Sequence, residues 1–416
     1  MIIFYRILLS IWSGLVHVSA PFFIYFRLKK GLEDSLRYKE RYGIIKKPCP
    51  DGGVIWLHGA SVGESLSLLP LIQKIQAQKP TANILVTTTT TAAQRVISSR
   101  INASKIVHQF IPFDATKWVN KFIDHWQPKA VFFVESEIWP NILWQLRSRS
   151  IPVILLNARL SEKSLRNWLL IKGITKKLWK CFSFIYTQSD IFTKRFRGLG
   201  AENVETLGNI KLLSDVLPFH ETELEHWKSQ IGKRVCWVVA STHQGEEEII
   251  FRVHQEVKKD FPSLLTIVVP RHVGRCEDIL LKTEGLKIAK FSDHLLQDED
   301  VLLVDAMAKL GVFYRLSTVA FIGGSLTPIG GHNPLEPAMI GAFPLWGPHF
   351  FNMDDMMYLF EGMPCQQING EQLAESLRNL LKNPKEAADY VKSLQARISS
   401  NQQQIHQKID EIISVS

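Results

Sequence analysis

The stretch VIWLHGASVGESLSLLPLIQKIQAQ, residues 54–78, decides the fold. Val54 to His58 form a short apolar run that leads into a turn carrying Gly59 and Gly63, and from Glu64 to Gln78 the pattern becomes helical. Strand, glycine-bearing turn and helix make half of a βαβ unit. The rhythm continues outward in NILVTT at 83–88, KIVHQF at 105–110, AVFFVE at 130–135 and PVILLNA at 152–158, with room for a crossover helix between Ile138 and Ser148. A second series follows: VCWVVAS at 235–241, LLTIVVP at 264–270, VLLVD at 301–305, TVAFIGG at 318–324 and AFPLW at 342–346. The spacing therefore predicts an α/β chain with two Rossmann-like, doubly wound parallel sheets. Gly208 to Pro218 links them, a polar helix over Glu221 to Gln230 opens the second, and the boundary is expected near Asp215. Gln372 to Ile413 reads as helices, and no repeat of solenoid period is present. Two such domains are expected to hold their ligand in a cleft between them, outside the carboxyl ends of the strands.

Composition narrows the class. A chain of 416 residues has material for two or three domains, and 46% hydrophobic with 21% charged residues excludes a mainly disordered or fibrous chain. Lys and Arg number 49 against 40 Asp and Glu, a formal charge of +9 that favours an anionic partner. Cys49, Cys181, Cys236, Cys276 and Cys365 are odd in number, scattered and free of any CxxC, which argues against a disulfide framework and a thiolate zinc site and fits a reducing compartment. Ile7 to Phe26 carry no fixed charge over a length that matches the hydrocarbon core of a bilayer, so residues 1–26 are expected to be a membrane anchor. Val18, Ser19 and Ala20 loosely resemble a signal-peptidase site, but Arg6 alone is basic ahead of it and Pro21 follows directly. Residues 27–47 hold eight basic side chains against Glu33, Asp34 and Glu40, which by the positive-inside rule leaves the bulk of the chain cytoplasmic and suits anionic headgroups. Whether the segment crosses the membrane or lies in its interface is left open.

Several motifs fall at expected strand ends. Ser61 to Glu64 is an S-x-x-E capping box; alternatively, the helix amino end keeps Glu64 ionised as a base, with Gly59 and Gly63 giving a ligand access to backbone. The two readings are compatible. Glu135 and Glu137 are two apart at the end of a strand, either a solvated loop or a carboxylate pair of the glycosidase kind. Pro270, Arg271, His272 and Arg275 bring cations to the end of another strand. STHQGEEE at 241–248 resembles a cap followed by acidic first-turn residues. GGS at 323–325 and GGHNPLEP at 330–337 offer exposed N–H groups, Asn333 as a cap, Pro334 at the first helical position and Glu336 within reach of ribose hydroxyls. The chain has no GxGxxG after its first strand and no GxxxxGK[ST], so dinucleotide and P-loop readings are poor. Seven basic residues between Arg159 and Lys180, with Trp168 and Trp179 interleaved, fit a nucleic-acid surface, a solvated helix face or a grip on a phosphorylated lipid.

Taken in order, HGASVGE, VESEIWPN, NARLS, LGNIKL, ASTHQGEE, VPRH and GGHNPLEP resemble the 3-deoxy-D-manno-octulosonic acid (Kdo) transferases of lipopolysaccharide assembly, over essentially the whole chain. The resemblance implies a GT-B glycosyltransferase with an acceptor-binding domain at 27–214 and a CMP-Kdo-binding domain at 215–416. It implies transfer of Kdo from CMP-Kdo, with inversion, to a lipid A precursor at the cytoplasmic face of the inner membrane. Carried over by motif, Glu64 is the base, while Glu135 and Lys211 stabilise the transition state. Pro270 and Arg271 hold CMP together with Asn333, Pro334, Leu335 and Glu336. A further CMP contact of the family lies in a Met-Gly-Glu stretch where this chain reads Met307, Ala308, Lys309. The family needs no metal, and no cofactor is expected; the partners implied are CMP-Kdo, the lipid A precursor and inner-membrane phospholipid, with no nucleic acid. The competing readings are another nucleotide-sugar enzyme of the same two-domain kind, such as an epimerase, and a non-enzymatic, membrane-anchored basic binding module.

Overall fold

The computed structural model describes residues 2–101, 105–213, 216–367 and 369–415. The chain divides into two compact units, Met1–Ser214 with Asn401–Ser416, and Asp215–Ser400. Asp215, where the boundary is expected, lies outside the described residues.

The first unit is built on strands β1 (Val54–His58), β2 (Ile84–Thr88), β3 (Ile106–Phe110), β4 (Pro128–Val134), β5 (Val153–Ala158), β6 (Phe184–Thr187) and β7 (Val204–Thr206). They form one parallel sheet in the order β3-β2-β1-β4-β5-β6-β7, whose first six positions follow the Rossmann order. β1, β2 and β5 are buried along their whole length, as expected for parallel strands covered by helices on both faces. Trp56, Phe122, Trp126 and Phe133 fill the core between sheet and helices, each contributing roughly 1.5–3 kcal/mol or more by leaving water. The strand order reverses between β1 and β4, so the turns after these two strands open side by side at the carboxyl edge.

The second unit holds β8 (Cys236–Thr242), β9 (Leu265–Pro270), β10 (Ile288–Lys290), β11 (Val301–Leu303), β12 (Val319–Ile322) and β13 (Phe343–Trp346), again parallel, in the order β10-β11-β9-β8-β12-β13. Its switch point lies between β8 and β12, bringing the turns at 243–246 and 323–326 together. The expected polar helix is present as Glu221–Ile231.

Two expectations need correction. The second domain does not run to residue 416: the helix Pro384–Val415 begins in the second unit, and its last turns return to the first. There Ile405 packs at Gly208, Asp410 accepts from Lys74 Nζ at 2.5 Å, and Gln402 donates to the Leu212 carbonyl at 2.6 Å. The apolar N-terminal segment, expected over 1–26, is a helix running Ile2–Lys29. It is the one helix among the described residues long and apolar enough to cross a membrane. It is not a free rod: Tyr5, Leu9, Ala20 and Ile24 are buried against the first unit.

Candidate active site

In the first unit, Ser61 caps the helix Val62–Gln78 by accepting from Glu64 N at 3.3 Å. The Glu64 carboxylate reaches back beyond the cap, accepting from Ala60 N at 2.7 Å and from Ser61 Oγ at 3.0 Å. The cap and the half-buried carboxylate coexist, with a shift of one residue from a standard capping box. The helix amino end, expected to keep Glu64 ionised, is opposed by burial. Burial raises its carboxyl above the usual range, Glu137 and Glu135 add to the rise, and the hydrogen bonds from Ala60 and Ser61 offset only part of it. Gly59 also has a different task from the one expected: a Cβ there would sit 3.0 Å from the backbone of Glu64 and Ser65, so its missing side chain lets the helix start against the strand end.

After β4, Glu135 takes up a left-handed backbone, φ 65°, which few side chains adopt without support. Its Oε1 lies 2.6 Å from Lys211 Nζ. Lys211 is held in turn by a short 3₁₀ segment, Ile210–Leu213, whose first N–H donates to Asn157 Oδ1 at 3.0 Å. Asn157, the first residue of the NARLS stretch, is fully buried near the end of β5 and is a positioning residue to which motif reading gave no role. Glu137 accepts from Trp139 Nε1 at 2.7 Å and faces His58 Nε2 at 3.2 Å. Burial would raise its carboxyl, but the His58 and Trp139 contacts win and leave it below the usual range. Glu135 and Glu137 therefore do not act as a symmetric pair. Each has its own partner, and the remaining carboxylate, Glu64, is the one with the raised proton affinity.

In the second unit, Arg271 follows β9, is exposed, and makes no ion pair among the described residues. Its charge acts on Glu336, whose carboxyl is raised by burial and lowered in part by a hydrogen bond from Asn333 Nδ2 at 3.2 Å and by Arg271. Arg271, Asn333 and Glu336 are thus brought together as expected, with Pro270 and Leu335 buried behind them. Pro334 stands one position earlier than expected, at the cap of the six-residue helix Leu335–Ile340, and Asn333 Oδ1 accepts from Leu335 N at 3.0 Å. His332 Nε2 lies 2.9 Å from His243 Nε2 with the rings stacked at 7°, and burial lowers His332 to about 4. Arg275 is not available to an anion, because Glu247 accepts from it at 2.8 and 3.0 Å.

The Gly-rich turn after β12 is the main surprise. The N–H groups of Gly324, Ser325 and Leu326 are not vacant donors: all three donate to Glu246 at 2.7, 2.9 and 2.9 Å, and His243 N adds a fourth bond at 2.9 Å. Glu246 is fully buried. Glu247 and Glu248 fall in the first turn of the helix Glu247–Lys258 as expected, and Glu246, at its cap, has the further task of clamping GGS. Gly331 likewise answers a packing need, since a Cβ there would collide with the Phe350 ring.

Met307 to Lys309 make no side-chain hydrogen bond or ion pair with this group among the described residues. Ala308 adopts φ 60°, the conformation a glycine takes readily, while Met307 is exposed and Lys309 Nζ is paired with Glu223 Oε1 at 2.6 Å. Trp179, read as half of a basic aromatic surface, is buried in the first unit's core, and the half-buried Trp168 packs edge-on against it. Among the described residues no three His, Cys, Asp or Glu side chains are grouped to hold a metal ion, and the five cysteines are free.

Residues 36–214 match the sequence model of the family described as 3-deoxy-D-manno-octulosonic-acid transferase (kdotransferase). The chain is 35% identical over 360 residues to the 3-deoxy-D-manno-octulosonic acid transferase of Haemophilus influenzae, a match covering 82% of this chain and 83% of that protein. It is 33% identical over 388 residues to that of Rickettsia bellii, covering 91% and 92%. Among solved structures, HepE of Anabaena in complex with UDP aligns over 88% of this chain and all of that one with a TM-score of 0.59; at 13% identity this likeness speaks for the two-domain fold alone.

Proposed function

The chain belongs to the Kdo transferase family, with the paired α/β units of GT-B glycosyltransferases, and from that premise we propose that it moves Kdo from CMP-Kdo to a lipid A precursor, with inversion at the anomeric carbon. The observation that carries the mechanism is Glu64: a half-exposed carboxylate at the switch point of the first sheet, with raised proton affinity, beside the Glu135–Lys211 pair. A base works best when its pKa approaches the working pH, and burial together with two carboxylate neighbours moves Glu64 in that direction. Glu64 takes the proton of the acceptor hydroxyl as its oxygen attacks the anomeric carbon of Kdo, and the bond from that carbon to the phosphate oxygen of CMP breaks in the same displacement. The Lys211 ammonium, held by Glu135, offsets negative charge that builds up on the leaving phosphate. In the second unit Arg271 meets the CMP phosphate and Glu336 accepts from ribose hydroxyls, while Glu246 keeps the Gly-rich turn in shape rather than touching ligand. The basic collar at residues 27–47 and the exposed apolar face of the first helix support a place at the cytoplasmic face of the inner membrane.

The test is Kdo transfer from CMP-Kdo to a tetra-acylated lipid A precursor by the purified protein, alongside melting with and without CMP. CMP at about 100 times its dissociation constant should add roughly 2.7 kcal/mol of stability. A chain that transfers nothing and is not stabilised by CMP ends this reading.

A further inference from the structure

The N-terminal helix is attached to the first unit from end to end. Trp12 Nε1 donates to Asp114 Oδ2 at 3.1 Å, Thr116 N donates to Ser13 Oγ at 2.9 Å, and His17 stacks on Trp118 at 4.5 Å. Further along, Ile24 is buried and Arg27 Nε binds Glu33 Oε2 at 2.9 Å. The face turned away from the body exposes Ile7, Ile11, Leu15, Val18, Phe22 and Tyr25, an apolar stripe at helical spacing. A surface stripe of this kind is what a membrane covers.

Beneath the docked face lies a cavity of about 710 Å³, within the usual size range of small-molecule sites. Val16 and Phe23 of the helix form one wall, and Trp139, Leu160, Trp168 and Trp179 of the body form another. The charged groups that reach it are largely neutralised among themselves. Arg27 and Arg41 share Glu33, and Asp114 accepts from Trp12 and from the N–H groups of Asn141 and Ile142. Arg159, also in the lining, makes no ion pair among the described residues. Glu135 and Glu137 line the same space, so an apolar group held there belongs to a molecule whose polar part lies at the candidate catalytic carboxylates.

We propose that this cavity receives an acyl chain of an anionic, amphiphilic acceptor, with Arg159 facing its phosphate, and that the N-terminal helix is a wall of the acceptor site rather than only a tether. The proposal rests on the acceptor reading above and deepens it. Three features single out an acyl chain: the aromatic and aliphatic lining, the internally paired charges, and the apolar outer stripe that places the cavity next to lipid. A nucleotide or a peptide would need free donors and acceptors along these walls.

The experiment compares two water-soluble acceptors, a bisphosphorylated glucosamine disaccharide without acyl chains and the same molecule carrying hexanoyl chains. It uses the full chain and two variants that fill the cavity, Val16→Trp from the helix and, from the body, Ser164→Trp, whose serine is also in the lining. Wild type should favour the acylated acceptor in kcat/KM on the order of tenfold or more, since each methylene taken from water is worth roughly a factor of four. In both variants that ratio should collapse toward one. A ratio that stays at the wild-type value in folded variants, judged by circular dichroism, overturns the proposal and leaves the transferase reading intact. A wild type that shows no preference for acyl chains overturns it as well. Should neither of these acceptors be used, transfer to the tetra-acylated precursor and stabilisation by CMP decide the transferase reading, and the cavity is judged by fluorescence of parinaric acid, an acyl-chain probe. Saturable binding to wild type that both variants abolish supports an acyl site, and binding that the variants leave unchanged removes it.

Discussion

Glu64 and Glu246 occupy comparable places, each at the start of the helix that follows the first strand of its own sheet and each beside a switch point, yet they have opposite fates. Glu246 accepts four backbone N–H bonds and is fully buried, so nothing remains of it for a ligand. Glu64 accepts one N–H and one hydroxyl, stays partly open, and sits where two other carboxylates raise its proton affinity. The same residue type at the same topological position is structural where its oxygens are saturated and reactive where they are not.

The sharpest way to break that comparison is to remove the charge of each without changing its shape. Glu64→Gln should lower kcat for Kdo transfer by roughly 10²–10⁴-fold, the range of general-base catalysis, with the melting temperature nearly unchanged because the amide oxygen can still accept from Ala60 N–H. Glu246→Gln should do the reverse. Its amide cannot serve four donors, and each donor left stranded in the interior costs about 1–3 kcal/mol. Calorimetry should therefore show the melting temperature falling by roughly 2–4 °C for each kcal/mol lost. If Glu246→Gln melts like wild type, or Glu64→Gln melts early and keeps its activity, saturation is not what separates the two.

How legible these roles were in the sequence follows from the distance over which they act. Strands buried on both faces read as continuous apolar runs, so β1, β2, β5, β8 and β9 were visible at nearly their observed bounds. β6, four residues long, and β7 and β10, three residues each at the sheet edges, are too short to carry such a signal and went unread. The capping box at Ser61 was legible because its partners are three residues apart. The clamp of Glu246 on the turn at 324–326 was not, because its partners are 78 to 80 residues downstream and only the pairing of β8 with β12 brings them together. The return of residues 401–416 to the first unit was hidden for the same reason, since Ile405 packs at Gly208 and Asp410 binds Lys74, both far earlier in the chain.

A third carboxylate sharpens the contrast. Asp114 is completely buried and caps the helix Pro140–Ser148 through Asn141 N and Ile142 N, as Glu246 caps its turn, but with fewer donors. Burial outweighs those bonds and raises its carboxyl to about 6. The fold thus favours the neutral acid, so the stability it contributes is full below about pH 4 and is lost as pH rises through about 6. A shift of that size corresponds to about 3 kcal/mol across the window. Urea midpoints at pH 4 and pH 7 should show wild type losing stability relative to Asp114→Asn as pH rises. Parallel midpoints would mean that the donors already saturate Asp114 as they do Glu246.

The smallest effect is expected from the neighbours of Glu64. Its raised carboxyl owes most to burial, with Glu137 next among the raising causes, so in kcat/KM the acidic limb of the pH profile should lie above the ordinary glutamate range in wild type. Glu137→Gln removes one of the two negative neighbours and keeps an acceptor for Trp139 Nε1. The limb should then move to lower pH, since a proton on Glu64 is no longer favoured by that charge, while activity on the plateau changes much less than in Glu64→Gln. A limb that stays in place means that the charge of Glu137 does not set the proton affinity of Glu64, and burial with the openness of its oxygens is then the larger part of what distinguishes it from Glu246.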